Sequence, residues 1–521
     1  MIKKRILWVD DEIELLEPHI LFLNSKGYEV ERVTNGEDAI IKASESFYDL
    51  ILLDEMMPGK DGLSTLQEIK SRSPQTPVIM ITKSEEESLM DDAIGRNIDD
   101  YLTKPVNPSQ ILLACKKILD SKEIASEKRS RTYAQELHQI SHLLSGIPDF
   151  NQWIELYLKL TNWDLDLDST SEPEFREILS DQRRECNVEF GKFIEKNYHL
   201  WLEKRDNRPI LSTDLIKKYI IPALNLKKRV VFLVIDCMRL DQWQVLAKYF
   251  YNYYTITTDY YYSILPTATP FSRNAIFSGL FPKDIERKYP ELWIGENDEE
   301  SSMNRYEKEL LKENLIRNQH SLKKDLKYIK ILNNEDARQF EKNINNYLDT
   351  ELLAVVLNFV DVLAHSRSDL PILKEIAPNE SAFRSLTRSW FEHSPFLNII
   401  KAIASAGFTM FVTSDHGSIR GMRGTKVIGD RESSTNLRYK SGRNLKVDKK
   451  HAIHIKNPDL YRLPHRGINT SYIITKEDYY LVYPTNFNKY LNHYKDSFQH
   501  GGASMEEMIL PIVRLESRLT Q

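Results

Sequence analysis

Over the first 120 positions, short apolar runs alternate with segments of helical periodicity. RILWVD, YEVERV, DLILLD, PVIMIT and IDDYLT read as strands, with four amphipathic stretches between them and a fifth behind. Five such units predict a doubly wound, five-stranded parallel sheet over residues 1–120. From 121 to about 225 the strand-like runs stop. YAQELHQISHLLSGI and FNQWIELYLKL carry apolar residues at helical spacing, so this stretch reads as a helical connector, punctuated near its end by Pro209 and Pro222. A second alternating pattern starts at RVVFLVID (229–236), continues in LLAVVLNFVD (352–361) and reaches FTMFVTSD (408–415) after the helical LNIIKAIASA. It predicts a second α/β domain over 226–521. Within it, 284–350 is highly charged and mostly helical by period, as in an inserted cap or lid, and 418–457 is polar, basic and loop-like. The aromatic run YFYNYYTITTDYYYS (249–263) reads as a buried strand or dimer surface more readily than as a base-stacking platform.

Composition changes little in this picture. Charged residues at 28% and hydrophobic ones at 41%, with a net charge of −5, are ordinary for a globular chain and give no global polyanion-binding signal. A length of 521 residues calls for several modules. The opening MIKKRILWVDDE meets acidic residues too early for a secretory signal, and no apolar run approaches the roughly 20 residues that span a bilayer, so a cytoplasmic chain is expected. Cys115, Cys186 and Cys237 are widely spaced and odd in number, which argues against a disulfide framework or thiolate metal site.

In an open parallel sheet, ligands collect outside the carboxyl ends of the strands. Asp10, Asp11 and Asp54 fall there, and Thr82 and Lys104 end two further strands. Clustered carboxylates need a cation to stay ionised, so Asp11 and Asp54 are natural ligands of an oxygen-preferring Mg²⁺, with Asp10 supporting. Asp54 can then attack phosphorus while Lys104 and Thr82 stabilise the phosphoryl oxygens. The acidic pair in VDDE, the LLDEMMPGKDG segment, the Thr of MIT and Lys104 before Pro105 resemble the receiver domain of two-component response regulators. The resemblance implies phosphorylation of Asp54 by a sensor histidine kinase, a metal shell completed by the Met56 backbone carbonyl, and a cis bond at Lys104–Pro105. It also implies that Thr82 and Tyr101 form the switch pair, and that phosphorylation reshapes the face around the fourth and fifth helices and favours a homodimer.

The later strand runs also end in aspartates, Asp236, Asp361 and Asp415, now accompanied by His365, His416 and His500. Mixed Asp and His ligation suits Zn²⁺ or Mn²⁺ better than Mg²⁺. PTATPFSRNA places Thr269 ahead of a proline at an expected helix start, where a hydroxyl could bind metal and attack phosphorus; Thr267 or a structural helix cap would read similarly. The pattern resembles the PglZ domain of the alkaline phosphatase superfamily from about 229 to 515. That resemblance assigns one Zn²⁺ to Asp361, His365 and His500 and the other to Asp236, Thr269, Asp415 and His416. Two such ions roughly 4 Å apart stabilise an in-line phosphoryl displacement.

The full succession resembles PorX-type response regulators, which implies control of type IX secretion and of gene expression, with a sigma factor or secretion component as partner. Family resemblance favours a phosphodiesterase acting on cyclic or linear oligonucleotides. Arg420, Arg423 and Lys426, in a segment that also carries Arg431, Arg438, Lys440 and Arg443, are candidates for substrate phosphates; a solvated polar loop is the plainer reading. The alternative function is a receiver-gated, metal-containing adaptor that binds a partner without essential catalysis. A DNA-binding transcription factor is disfavoured by the acidic charge and the lack of a recognition-helix motif.

Overall fold

The structure, a computed structural model, describes residues 3–73, 76–83, 98–168, 173–203, 207–294, 304–324, 326–430, 436–465, 467 and 469–519. The fourth amphipathic stretch of the first domain and Arg431 lie outside the described residues. The chain divides into two compact units, Met1–Ser141 and His142–Gln521. The division falls inside the helix Ser121–Ser145, so the helices Phe150–Asp168 and Pro173–Glu203 belong to the second unit.

The first unit is built on strands β1 (Arg5–Val9), β2 (Glu29–Val33), β3 (Leu50–Asp54), β4 (Val78–Thr82) and β5 (Asp100–Thr103), all parallel in the order β2-β1-β3-β4-β5. Side chains alternate across a strand, so one apolar run supplies two cores. Ile6 and Trp8 pack with Ile20, Leu23 and Ile111 on one face, and Leu7 and Val9 with Ala39, Ile40 and Leu66 on the other. Each fully buried aliphatic side chain contributes roughly 1.5–3 kcal/mol. Three of the helices start where short polar side chains satisfy open backbone donors: Asn35, Asp61 and Asn107 accept from the N–H of Asp38, Ser64 and Gln110.

The second unit carries a six-stranded sheet of β6 (Val230–Ile235), β7 (Tyr254–Tyr262), β8 (Lys327–Ile331), β9 (Leu352–Leu357) and β10 (Thr409–Thr413), together with the late strand Ile509–Ser517. Strands β10, β6, β9 and β8 lie parallel side by side, and Ile509–Ser517 runs antiparallel between β10 and β7. Large apolar clusters cover both faces.

Three expectations need correction. LLAVVLNFVD is not one strand: β9 stops at Leu357, and Asp361 sits in the first turn of the helix Phe359–Asp369. Val360 and Ala364, four apart and buried, switch the burial period from two to that of a helix. The charged stretch 284–350 is not only a cap, because it supplies β8 at the sheet edge and the buried Glu307. The polar stretch 418–457 is not a loop but contains β11 (Ile419–Gly421), β12 (Arg423–Ile428), β13 (Tyr439–Gly442), β14 (Lys446–Val447) and β15 (Ala452–Ile455). These pair with one another or with β16 (Ser471–Thr475), β17 (Tyr479–Val482) and β18 (Ser497–Gln499) around Val427, Leu445, Ile473 and Leu481. Long-range pairing outweighed the weak local signal of a polar sequence.

A buried ionic network fastens the helix Phe150–Asp168 to the sheet domain. Arg384 donates to both oxygens of Asp168 (2.8 and 2.7 Å), to Asp164 (2.8 Å) and to Asp241 (2.9 Å). Asp241 is also gripped by Arg239 at 2.9 and 2.7 Å.

Candidate functional site

At the carboxyl edge of the first sheet, Asp10 follows β1, Asp54 closes β3, Thr82 closes β4 and Lys104 follows β5. Oxygens of Asp10, Asp11 and Asp54 lie within 4.8 Å of one another, with Asp10 and Asp54 buried and Asp11 exposed. Lys104 Nζ bridges them, 2.9 Å from Asp10 and 3.0 Å from Asp54. Burial raises the Asp54 carboxyl above its ordinary range and Asp10's charge adds to this, while Lys104 opposes it. This all-oxygen set fits a hard divalent cation. Lys104–Pro105 is cis. The Thr82 hydroxyl donates to Glu55, a residue that motif reading passed over because it lies between Asp54 and Met56 without a pattern of its own. The side chains of Met56 and Tyr101 are exposed. A Cβ on Gly62 would lie 2.2 Å from the Asp54 carbonyl oxygen, so the loop after Asp54 closes only over glycine.

In the second unit, adjacent parallel strands present their carboxyl ends together. Asp236 follows β6 and donates its backbone N–H to the Leu357 carbonyl at the end of β9. Asp415 lies two residues past β10, and its Oδ1 accepts from the N–H of Cys237 (3.3 Å) and of His416 (3.1 Å). A Cβ on Gly417 would stand 1.9 Å from the Glu506 carbonyl oxygen, which accounts for the glycine after Asp415 and His416. Asp361 and His365 share one helix face, four residues apart. His500 arrives after β18, on a loop held by Thr267, whose hydroxyl donates to Gly502 O (2.7 Å) and accepts from Gly501 N (3.1 Å).

Two clusters result. His365 Nε2 and His500 Nε2 lie 3.4 and 3.6 Å from Asp361 Oδ1 and 3.3 Å from each other. His416 Nε2 lies 3.6 Å from Asp236 Oδ1 and 3.7 Å from Asp415 Oδ2. The His416 and His500 rings stack at 4.2 Å, which sets the clusters side by side. Thr269, first residue of the helix Thr269–Ser278, places its hydroxyl 2.9 Å from His416 Nε2 and 3.4 Å from Asp236 Oδ1. Of the two threonines left open by sequence, Thr269 faces the clusters and Thr267 holds backbone.

The donor set fits divalent metal. Asp361 Oδ1 and Asp415 Oδ2 are buried without a well-formed hydrogen bond, and imidazole nitrogens face them. His416 Nδ1 meets the Gly417 carbonyl at 3.0 Å and must carry the proton there, leaving the Nε2 lone pair aimed at the cluster. Burial pushes His416 below the usual imidazole range, and burial with Asp236's charge pushes Asp415 well above the usual carboxylate range. Burial would also raise Asp361, but His365 and His500 outweigh it and hold that carboxyl low.

Sequence reading missed Arg273. This buried guanidinium donates to Asp236 Oδ2 (2.5 Å) and Glu307 Oε1 (2.5 Å) and lies 4.0 Å from Asp415 Oδ2. Its place four residues after Thr269 was the available signal. Arg420 and Arg423, read as phosphate binders, are already ion-paired, Arg420 with Asp496 and Arg423 with Glu477 and Asp478. Both line a cavity of about 500 Å³ that includes none of the metal-competent residues. Lys426 lies over the Phe487 ring at 5.0 Å.

Three family profiles match the chain: response regulator receiver domain over residues 6–116, PorX response regulator linker domain over 123–202, and BREX system PglZ alkaline phosphatase-like domain over 215–515. The chain belongs to the PglZ alkaline phosphatase-like family, a branch of a hydrolase superfamily. Its succession of receiver, linker and PglZ domains is that of PorX-type response regulators. Similar curated proteins include transcriptional regulatory protein ResD of Bacillus subtilis (35% identity over 139 residues, 27% of this chain) and SrrA of Staphylococcus aureus (31% over 138 residues, 26% of this chain). The chain spans 58% and 57% of those proteins. Among solved structures, a CheY-like receiver from Methanospirillum hungatei is 31% identical, covering 24% of this chain and 99% of that one (TM-score 0.23). Vibrio cholerae CheY4 is 28% identical, covering 23% and 100% (TM-score 0.22). A receiver domain implies a cognate histidine kinase, and both domain classes generally use divalent metals. Among the described residues no helix is long and apolar enough to cross a membrane.

Proposed function

We propose that this chain is a response regulator phosphorylated on Asp54 with Mg²⁺ bound by Asp11, Asp54 and the Met56 carbonyl, and that its second unit is a two-metal phosphodiesterase acting on cyclic or linear oligonucleotides. The observation that carries the enzymatic reading is the Thr269 hydroxyl set between Asp236 and His416, with the second Asp/His cluster one stacked imidazole away. Zn²⁺ fits the Asp/His donors of both clusters, with Mn²⁺ as the nearest substitute. When bound, two divalent ions supply charge neutralisation at the phosphoryl oxygens and acidify the attacking hydroxyl.

The chain's own residues set the geometry. Thr269 Oγ attacks phosphorus in line, a phosphothreonine ester forms as the ester bond to the leaving alkoxide breaks, and water then releases the phosphate monoester and restores the hydroxyl. Asp236 and His416 orient Thr269, and the Gly417 carbonyl keeps His416 in the tautomer that presents a lone pair. The PorX-type succession of domains supports extending this reading to dimerisation on phosphorylation, with Thr82 and Tyr101 as switch, and to a cytoplasmic role in type IX secretion and gene expression with a sigma factor or secretion component as partner. The test is hydrolysis of bis-nitrophenyl phosphate and a short oligonucleotide by metal-loaded wild type and Thr269→Ala. Turnover abolished in the variant with metal content unchanged supports the reading. An inactive, fully loaded wild type would sink it and leave the adaptor.

A further inference from the structure

The guanidinium of Arg273 stands behind the candidate metal cluster rather than in it. It is 1% exposed, and each edge of its fork meets a different buried carboxylate. One edge donates to Asp236 Oδ2, so only Oδ1 of that carboxylate faces Thr269 and His416. The other edge is held by Glu307 in the helix Glu307–Arg317, and Glu307 also accepts from the hydroxyl of Tyr328 on β8.

The charged segment that sequence suggested as a lid thus supplies a buttress beneath the site. A lone buried carboxylate beside Asp415 and His416 could rotate and offer either oxygen, or both. A planar fork that satisfies two carboxylates at once removes that freedom, which a single ammonium cannot do. We infer that Arg273 is a positioning residue: braced by Glu307 and Tyr328, it fixes Asp236 with a single oxygen turned to the metal side, and so sets the metal affinity of the Asp236, Asp415 and His416 cluster without touching the other cluster. This rests on the two-metal reading of the preceding section. Outer partners that orient a ligand typically change metal affinity 10–100-fold when altered.

The experiment is zinc titration calorimetry on the full chain, with Co²⁺ absorption spectra as a direct report on ligand geometry. Arg273→Lys keeps the buried positive charge and removes the fork, so a change in affinity reports geometry and not charge. The expected result is one of two sites weakened about 10–100-fold, with an altered Co²⁺ spectrum at that site and the other site unchanged. Glu307→Gln, which keeps an acceptor for the guanidinium but removes the brace's charge, is expected to weaken the same site less. It also serves as the working variant should Arg273→Lys fail to fold. Two sites of wild-type affinity and unchanged spectra in both folded variants would overturn the assignment, as would equal weakening of both sites. A wild type that binds no metal in either cluster would instead overturn the two-metal reading itself, which separates the two failures.

Discussion

Replacing Arg384 with methionine tests whether the helix Phe150–Asp168, which packs against Pro173–Glu203, is fastened to the sheet domain by charge. Arg384 is fully buried and holds Asp168 through two bonds and Asp164 and Asp241 through one each. Methionine fills much of the volume but takes one cationic partner from each of three carboxylates. Each keeps another arginine: Asp241 has Arg239 at 2.7 Å, Asp164 has Arg183 at 3.4 Å and Asp168 has Arg176 at 3.7 Å. Breaking a buried ion pair typically costs about 3–5 kcal/mol, and the remaining partners place this site at the lower end, about 3 kcal/mol. That is roughly a hundredfold in the unfolding equilibrium. Guanidinium unfolding followed by tryptophan fluorescence reports it, since Trp153, Trp163 and Trp201 lie in these helices. Burial would raise Asp241, but Arg239 and Arg384 hold its carboxyl well below the ordinary range. Its stabilising contribution is therefore present above about pH 3.9 and lost as pH falls below that value. The variant should lose most at neutral pH and converge on wild type in acid. A loss below about 1 kcal/mol at pH 7, or no convergence in acid, would refute the reasoning.

Further outcomes follow from single observations. Asp54→Asn should abolish labelling by acetyl phosphate, and Lys104→Met should reduce it strongly, both read by phosphate-affinity gel; labelling of the asparagine variant would remove the acceptor assignment. Gly62→Ala should destabilise the first unit by about 1–3 kcal/mol, because its Cβ meets backbone, measured by urea unfolding of the full chain. Burial pushes the Lys440 ammonium down to about 8. The unfolded chain then binds more protons between pH 8 and about 10.4, so stability rises with pH across that window by up to about 3 kcal/mol. Lys440→Met should be more stable than wild type at pH 7, and this part of the pH dependence should be gone; parallel pH profiles would contradict it.

The five short strand-like runs of the first 120 residues determined a parallel sheet by themselves, because they alternate with helical periods and three of them, β1, β3 and β4, are buried nearly throughout, and ligands in such sheets gather at the carboxyl edge. That logic also singled out Asp10, Asp54, Thr82, Lys104, Asp236 and Asp415, each at or just past a strand end. Asp361 was recognised as a residue but placed on the wrong element, since an apolar run cannot reveal where strand period gives way to helix period at Asn358. Tertiary structure decided everything that depends on distant pairing. It turned the polar segment after residue 418 into strands, assigned Thr267 to backbone and Thr269 to the cluster, and drew Arg420 and Arg423 into ion pairs. It also brought Glu307 and β8 behind Arg273. Local patterning records which face of an element is apolar, whereas the carboxylate partners of Arg273 and Arg384 lie tens or hundreds of residues away and leave no period in the sequence.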